Sequence, residues 1–151
     1  MFPTIEKTGP VTLRQDRSYS HDVLVTPDGK YVFTSEMGGD GWRVFEINST
    51  SLELLELPML ATESGVGPRH GAFYTSDSGE LSFFFNGELD QKVHWYSLNI
   101  ADGEVTWKKK FEIPGLGADD EQPATTAPTS EIAITVSAIG WICFFTAHTD
   151  M

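Results

Sequence analysis

Four polar residues are candidates for chemistry in this sequence: His21, Arg69, His70 and Glu88. A guanidinium such as that of Arg69 holds a carboxylate or phosphate through paired hydrogen bonds, and it also stabilises an oxyanion. The imidazole of His21 titrates near neutral pH and can move a proton, while Glu88 can be its partner base or orient water. These residue types together suit proton transfer beside a bound anion or a developing oxyanion, provided that the fold brings them together.

Each candidate also has a purely structural interpretation. His21 and His70 can hold successive repeats closed by hydrogen-bonding neighbouring backbone. Arg69 can belong to a structural ion pair, and Glu88 can be a solvated turn residue. The arrangement of the chain must therefore show whether the four side chains share one place.

An internal repeat with an offset of 49 residues organises the chain, because residues 21–33 align with residues 70–83. Both copies read His, a short apolar strand, Thr, an Asp/Gly turn and a second apolar strand. Two more strands follow in each copy, near 42–47 and 52–57, then near 93–98 and 104–111. Four short strands per repeat of about 50 residues are typical of propeller blades, so the sequence predicts an all-β propeller.

The repeat divides the chain into five parts. They are residues 1–20, interpreted as the outer strand of a preceding blade; 21–58, a blade; 59–111, a connector and second blade; 112–130, a Pro/Gly-rich loop; and 131–151, the start of a third blade with a divergent tail. Because this is about two and a half blades and a closed propeller has at least four, we expect a fragment of a longer product, an assembly of several copies or an irregular open sheet. Exposed blade edges then favour self-association.

The blade topology predicts which polar side chains meet. The inner strand begins at the face where the second strand ends, so its first residues lie beside the turn between the second and third strands. His21, Arg69 and His70 stand at inner-strand starts, and Glu88 stands in such a turn. We therefore expect all four on one rim of the central channel, away from the turn at Asp28.

Several motifs of the repeat resemble the lactonase family of seven-bladed propellers, which includes 6-phosphogluconolactonase-type hydrolases and fungal carboxy-cis,cis-muconate cyclases. The motifs are S-H-D-V-x-V-T-P-D-G-K-Y-V-F at 20–33, E-M-G-G-D-x-W-R-V-F at 36–45, G-V-G-P-R-H-x-A-F at 65–73, N-G-E-L-D-x-x-V at 86–93 and S-E-I-A-I-T at 130–135. Gly87 separates Asn86 from Glu88, where the family usually runs Asn-Glu directly. The family also places an Arg at the end of the strand that follows Thr135, and this sequence lacks it.

The resemblance implies a hydrolase that opens a sugar lactone with His21, Arg69 and Glu88 as catalytic residues, His70 as a substrate-binding neighbour, and neither metal nor cofactor. Two alternatives stay open. One is a muconate-type cycloisomerase on the same propeller, in which Arg69 holds a substrate carboxylate. The other is an inactive truncated fragment or an interaction surface.

Composition restricts the partners. Ten Lys+Arg against 22 Asp+Glu give a net charge of −12, which argues against nucleic acid and anionic membranes. The first residues lack a basic segment followed by an apolar one, so we expect no secretory signal and a cytoplasmic location. Residues 132–147 form an uncharged stretch of 16, which is short for a spanning helix and rich in strand formers. The expected partner is a small lactone or carboxylate.

Overall fold

The computed structural model describes residues 9–11, 14–101, 103–114, 131–136 and 142–147, the last two ranges as strands only. All regular elements in these ranges are β-strands. They are β1 (Val23–Val25), β2 (Tyr31–Glu36), β3 (Gly41–Ile47), β4 (Leu54–Glu56), β5 (Leu60–Ala61), β6 (Pro68–Thr75), β7 (Leu81–Gly87), β8 (Lys92–Ala101), β9 (Glu104–Pro114), β10 (Glu131–Val136) and β11 (Ile142–Ala147).

The strands form antiparallel sheets in which each strand pairs with its neighbour in sequence. The first sheet has the order β1-β2-β3-β4, and the short β5 pairs with the beginning of β3. The second sheet has the order β6-β7-β8-β9, and β10 pairs with β11. The backbone of β10 lies against β6 and β7. The predicted all-β architecture of four-stranded blades is therefore confirmed, with two blades and the beginning of a third.

Tight turns at one end of the blades join the first two strands of each. In the first blade the hydroxyl of Thr26 donates to the carboxylate of Asp28 at 2.7 Å, and Gly29 takes a φ of 72°. In the second blade Gly79 takes a φ of 86°. A residue without a side chain adopts these angles without strain, so the Asp/Gly signature of the repeat marks a real turn.

An aromatic core joins the two blades. Phe33 and Trp42 of the first blade meet Phe83 of the second, with ring centroids 5.5 and 4.8 Å apart, respectively. The strand β7 is buried on both faces, since Phe84 points away from this core and stacks on Trp95 at 5.4 Å. Burial on both sides explains why three consecutive phenylalanines occupy this strand.

The strands differ from the sequence expectation at several ends. The fourth strand of the first blade is shorter than the predicted 52–57, and β5 lies within the predicted connector. β9 continues to Pro114, so only residues 115–130 of the predicted loop lie outside the described residues. The described part of the N-terminal segment, residues 9–11 and 14–20, forms turns and bends rather than the expected strand.

No helix in the described residues is long and apolar enough to cross a membrane.

Candidate functional site

The rim of the blades at the start of β6 carries a buried ion pair. Arg69 follows the first residue of β6, and Glu88 follows the last residue of β7. The Nη1 atom of Arg69 donates to Oε2 of Glu88 at 2.7 Å, and only 3% of the Glu88 side chain is exposed. The structure thus brings these two predicted residues into contact despite the inserted Gly87, and Glu88 is not a solvated turn residue.

A second arginine reaches the same carboxylate from the N-terminal segment. The Nη2 atom of Arg14 donates to Oε1 of Glu88, so each carboxylate oxygen accepts from a different guanidinium. Arg14 precedes the repeat, and nothing in the periodicity indicated that it approaches the rim. Its position makes Glu88 a bridge between two cations rather than half of a simple pair.

His21 lies on the same rim with an exposed side chain. Its backbone N–H donates to the hydroxyl of Ser35 at 3.0 Å, which fixes the chain just before β1. Partial loss of water lowers the pKa of the His21 imidazole, the nearby Arg69, His70 and Arg14 side chains lower it further, and the carboxylate of Glu36 opposes them. The neutral imidazole, which can accept a proton, is therefore favoured at neutral pH.

His70 couples the rim to the neighbouring blade. Its Nε2 atom accepts from Nε of Arg69 at 3.3 Å, and its Nδ1 atom lies 3.7 Å from Oδ2 of Asp22. The same Asp22 oxygen accepts the backbone N–H of Gly71 at 3.0 Å. Although partial burial opposes it, the bonds from His70 and Gly71 lower the pKa of Asp22. His70 therefore has a structural contact between blades besides its place beside Arg69.

The backbone under the ion pair is held by Asp40 of the first blade. Its buried carboxylate accepts the N–H groups of Gly65 and Gly67, each at 2.8 Å. The carbonyl of Gly67 then accepts the N–H of Glu88 at 2.8 Å. Gly67 has a φ of 59°, and a Cβ there would come within 2.5 Å of Leu89. One carboxylate thus fixes the segments that carry both Arg69 and Glu88.

Two acceptors in equivalent positions of the blades hold backbone at the rim, although their donors, Tyr19 and His70, are not aligned in the repeat. Oε1 of Glu36, at the end of β2, accepts the N–H of Tyr19 at 2.9 Å. Oδ1 of Asn86, in the equivalent position of β7, accepts the N–H of His70 at 2.8 Å. The last side chain of the second strand therefore anchors the backbone leading into the inner strand of each blade. This contact accounts for Glu36 without a catalytic role.

Sequence reasoning missed three residues that build this site: Arg14, Asp22 and Asp40. The repeat could have indicated Asp22, which aligns with Gly71 and precedes a predicted inner strand. An aspartate in that position can bridge to the next blade. Asp40 stands between two glycines, a sequence that by itself indicates only a turn. Arg14 lies outside the repeat and had no comparable signal.

Within the described residues, no group of three or more His, Cys, Asp or Glu side chains is close enough to hold a metal ion. The rim instead combines two guanidiniums, one shared carboxylate and two imidazoles. Such a set has the groups needed to hold an anion or an oxyanion and to move a proton.

A model of the lactonase family, described as a 7-bladed beta-propeller, matches residues 2–138. The chain belongs to this lactonase family. The predicted membership is therefore confirmed, and the motifs that carried it lie within the matched range.

Two relatives of this lactonase chain carry the name 6-phosphogluconolactonase. One from Arthroderma benhamiae, where the name is provisional, is 31% identical over 85 residues, covering 56% of this chain and 21% of the relative. One from Pectobacterium atrosepticum is 28% identical over 101 residues, covering 66% of this chain and 30% of the relative. The matched segment is therefore less than a third of either relative.

Solved structures show the same fold. A Bacteroides uniformis protein, provisionally named 6-phosphogluconolactonase, matches with a TM-score of 0.67 at 26% identity, covering 93% of this chain and 37% of that one. A Lactobacillus plantarum protein matches with a TM-score of 0.66 at 22% identity, covering 94% of this chain and 45% of that one. The second likeness concerns the fold alone.

Proposed function

We propose that the rim of this lactonase-family chain hydrolyses a sugar lactone. The contact between Arg69 Nη1 and Glu88 Oε2, at 2.7 Å on the rim that also carries His21, is the observation that supports it most strongly. The names of the two relatives point to the same substrate class. A proton acceptor and an oxyanion-stabilising cation are the two groups that ester-type hydrolysis requires.

His21 acts as the general base in this proposal. Its neutral imidazole takes a proton from water, and the water oxygen attacks the lactone carbonyl carbon while the carbonyl electron pair moves onto oxygen. Arg69 stabilises the resulting oxyanion. When the carbonyl reforms, the bond to the ring oxygen breaks, and that oxygen takes the proton back from His21. The product is an open hydroxy acid, which ionises at neutral pH.

Glu88 holds Arg69 in place rather than acting as the base. Both of its oxygens already accept hydrogen bonds from guanidiniums, so the observed contacts commit this carboxylate to holding the two arginines. A buried carboxylate that fixes a guanidinium reduces the conformational freedom lost when the transition state forms. Glu88 is therefore a positioning residue for Arg69.

The test is the rate of acid release from a phosphorylated aldonolactone in a pH-stat, measured above the spontaneous hydrolysis in buffer. We expect the chain to accelerate release, His21→Gln to lower kcat/KM by about 100-fold or more, and Arg17→Ala to match the parent chain. Arg17 is a suitable control because it lies on the same segment as Arg14 but bonds Tyr19 instead.

Carboxy-muconate provides the competing measurement. Cyclisation of this diene adds a carboxylate oxygen and a proton across one C=C bond, so turnover appears as a loss of conjugated absorbance and as uptake rather than release of a proton. Cyclisation by the chain with no lactone opening would overturn the hydrolase proposal and support the cycloisomerase. No acceleration of either reaction would support the inactive-fragment alternative.

A further inference from the structure

The buried carboxylate of Glu88 on the rim is held by two guanidiniums. Arg14 and Arg69 each donate to one oxygen of Glu88, so the three side chains together carry one uncompensated positive charge. This occurs in a chain whose overall charge is −12. Affinity for an anion at this place must therefore come from these residues and not from the general field of the protein.

The two guanidiniums repel each other, and both act on His21. Partial burial lowers the pKa of Arg69, and the nearby positive charge of Arg14 lowers it further. Both arginines contribute to the lowered pKa of His21. The three groups therefore share one electrostatic environment, and an anion entering it would relieve the repulsion that Glu88 leaves uncompensated.

Arg14 has the more open position of the two. Its side chain is 43% exposed, against 22% for Arg69. A guanidinium carries five N–H donors, and the partner that the described residues give Arg14 is one oxygen of Glu88. Its other donors are therefore available to a ligand that arrives from solvent. Arg17, three residues away, donates to the hydroxyl of Tyr19 at 3.0 Å and lies over that ring instead.

We propose that Arg14 binds an anionic group on the substrate, a carboxylate or phosphate ester remote from the lactone carbonyl, while Arg69 serves the carbonyl itself. The inference rests on the proposed lactone hydrolysis and identifies the residue that selects an anionic lactone over a neutral one. Carboxylate and phosphate share the geometry that a guanidinium recognises through paired hydrogen bonds.

The kinetic test compares three aldonolactones that differ only in the group on the terminal carbon: a hydroxyl, a carboxylate or a phosphate ester. The measured quantity is kcat/KM for each anionic lactone divided by that for the neutral one. We expect Arg14→Ala to lower this ratio by about tenfold or more, the range for a hydrogen bond to a charged group. Arg14→Lys, which keeps the charge, should lower it less, and Arg17→Ala should leave it unchanged.

The ratio distinguishes direct binding of the substrate's anionic group by Arg14 from an indirect role in which Arg14 only holds Glu88. If Arg14 only holds Glu88, and through it Arg69, then Arg14→Ala reduces turnover of all three lactones by the same factor and the ratio stays constant. That result would overturn the proposal. Whether the phosphate or the carboxylate lactone loses more identifies the preferred group, and thermal unfolding of each variant checks that its fold is intact.

A binding measurement makes the inference independent of turnover. Inorganic phosphate is titrated into the parent chain, Arg14→Ala and Arg17→Ala at pH 7 while NMR follows the His21 ring. We expect Arg14→Ala to raise Kd by about tenfold and Arg17→Ala to leave it unchanged. Equal Kd values in all three proteins would overturn the proposal.

The phosphate titration and the lactone kinetics test the anion site and the proposed hydrolysis separately. Arg14-dependent phosphate binding without lactone opening would keep the anion site and overturn the proposed hydrolysis. Lactone opening with a substrate ratio that is independent of Arg14 would do the reverse.

Discussion

On the rim, Arg14 and Arg69 both bind Glu88, an arrangement that the residue types alone did not indicate. The carboxylate of Glu88 looked like a candidate base, yet both of its oxygens are occupied by Arg14 and Arg69. In the proposed reaction the proton acceptor is therefore His21, an exposed residue whose pKa is lowered by partial burial and by the nearby arginines. A general base must be unprotonated at the working pH, and a lowered pKa favours this form of His21 near pH 7.

At the residue scale, the first prediction concerns the pH dependence of kcat/KM. Partial desolvation and the nearby Arg69, His70 and Arg14 lower the pKa of His21 against the opposing charge of Glu36, so the acid limb should lie below the ordinary histidine pKa of about 6.5. Activity should rise as the pH increases through the lowered pKa of His21, because the neutral imidazole is the active form. Arg14→Ala removes one of the charges and should move the limb to higher pH.

The acid limb is measured with a lactone that carries no ionisable group, since a titrating substrate would add its own limb. Arg17→Ala provides the matched charge change and should leave the limb in place. A limb that moves to lower pH in Arg14→Ala, or equally in both variants, would contradict this account of His21.

Part of the site was accessible from the sequence at this scale, and part was not. Blade topology placed Arg69 and Glu88 on one face because a repeat fixes which strand ends coincide. Arg14 lies before the repeat in a segment without strand periodicity, so only the folded chain reveals that it reaches Glu88. The roles assigned to these side chains remain predictions.

At the scale of elements, the turn between β2 and β3 supports the site in the neighbouring blade. Asp40, in that turn, takes a φ of 52° and accepts two N–H groups from the segment that crosses between blades. That segment continues directly into Arg69 and also binds the backbone of Glu88 through Gly67. A turn of the first blade therefore sets the position of catalytic candidates in the second.

The prediction for Asp40 compares two variants. Asp40→Ala leaves two N–H groups without their acceptor and places alanine at a positive φ, so it should lower the free energy of unfolding by about 2–4 kcal/mol. Asp40→Asn keeps one acceptor oxygen and tolerates the backbone angle, so it should lose about half as much. Urea denaturation measures both.

Asp77→Ala is the control, because Asp77 is exposed in the turn at the opposite end of the second blade. It should change stability by less than about 0.5 kcal/mol. If Asp40→Ala were no more harmful than this control, Asp40 would not hold the crossing segment.

Strand order could be predicted from the repeat, whereas strand ends could not. Alternation and turn residues located eight strands in two blades, but β5 has two residues and forms only because the crossing segment passes β3 at Gly41. β9 extends to Pro114 because this residue pairs with Lys92, the first residue of β8. Such limits depend on the neighbouring strand and not on the local sequence.

At the scale of the molecule, stability depends on the contact between blades. The faces of the first and second blades share one buried cluster, in which Phe83 lies among Phe33, Trp42 and Phe73 with centroids 4.8–5.5 Å away. The opposite side of β1 is more open, and the side chain of Val23 is 66% exposed. Loss of the shared cluster should therefore affect both blades at once.

Phe83→Ala should lower the free energy of unfolding by about 3–5 kcal/mol, because it removes a fully buried ring and leaves a cavity between the blades. Phe111→Ala is the matched control, since Phe111 is 44% exposed on the outer strand β9, and it should cost about 1 kcal/mol. Denaturation followed by tryptophan fluorescence measures both. Equal losses would mean that the blades do not depend on this contact.

The central claim is that the rim at Arg69 is where a lactone is opened, and the rate of lactone hydrolysis by Arg69→Ala tests it most directly. The account predicts that kcat/KM falls by about 100-fold or more, because an oxyanion-stabilising donor is lost, while the thermal transition shows a folded protein. Hydrolysis by a folded Arg69→Ala within about threefold of the parent chain would contradict it.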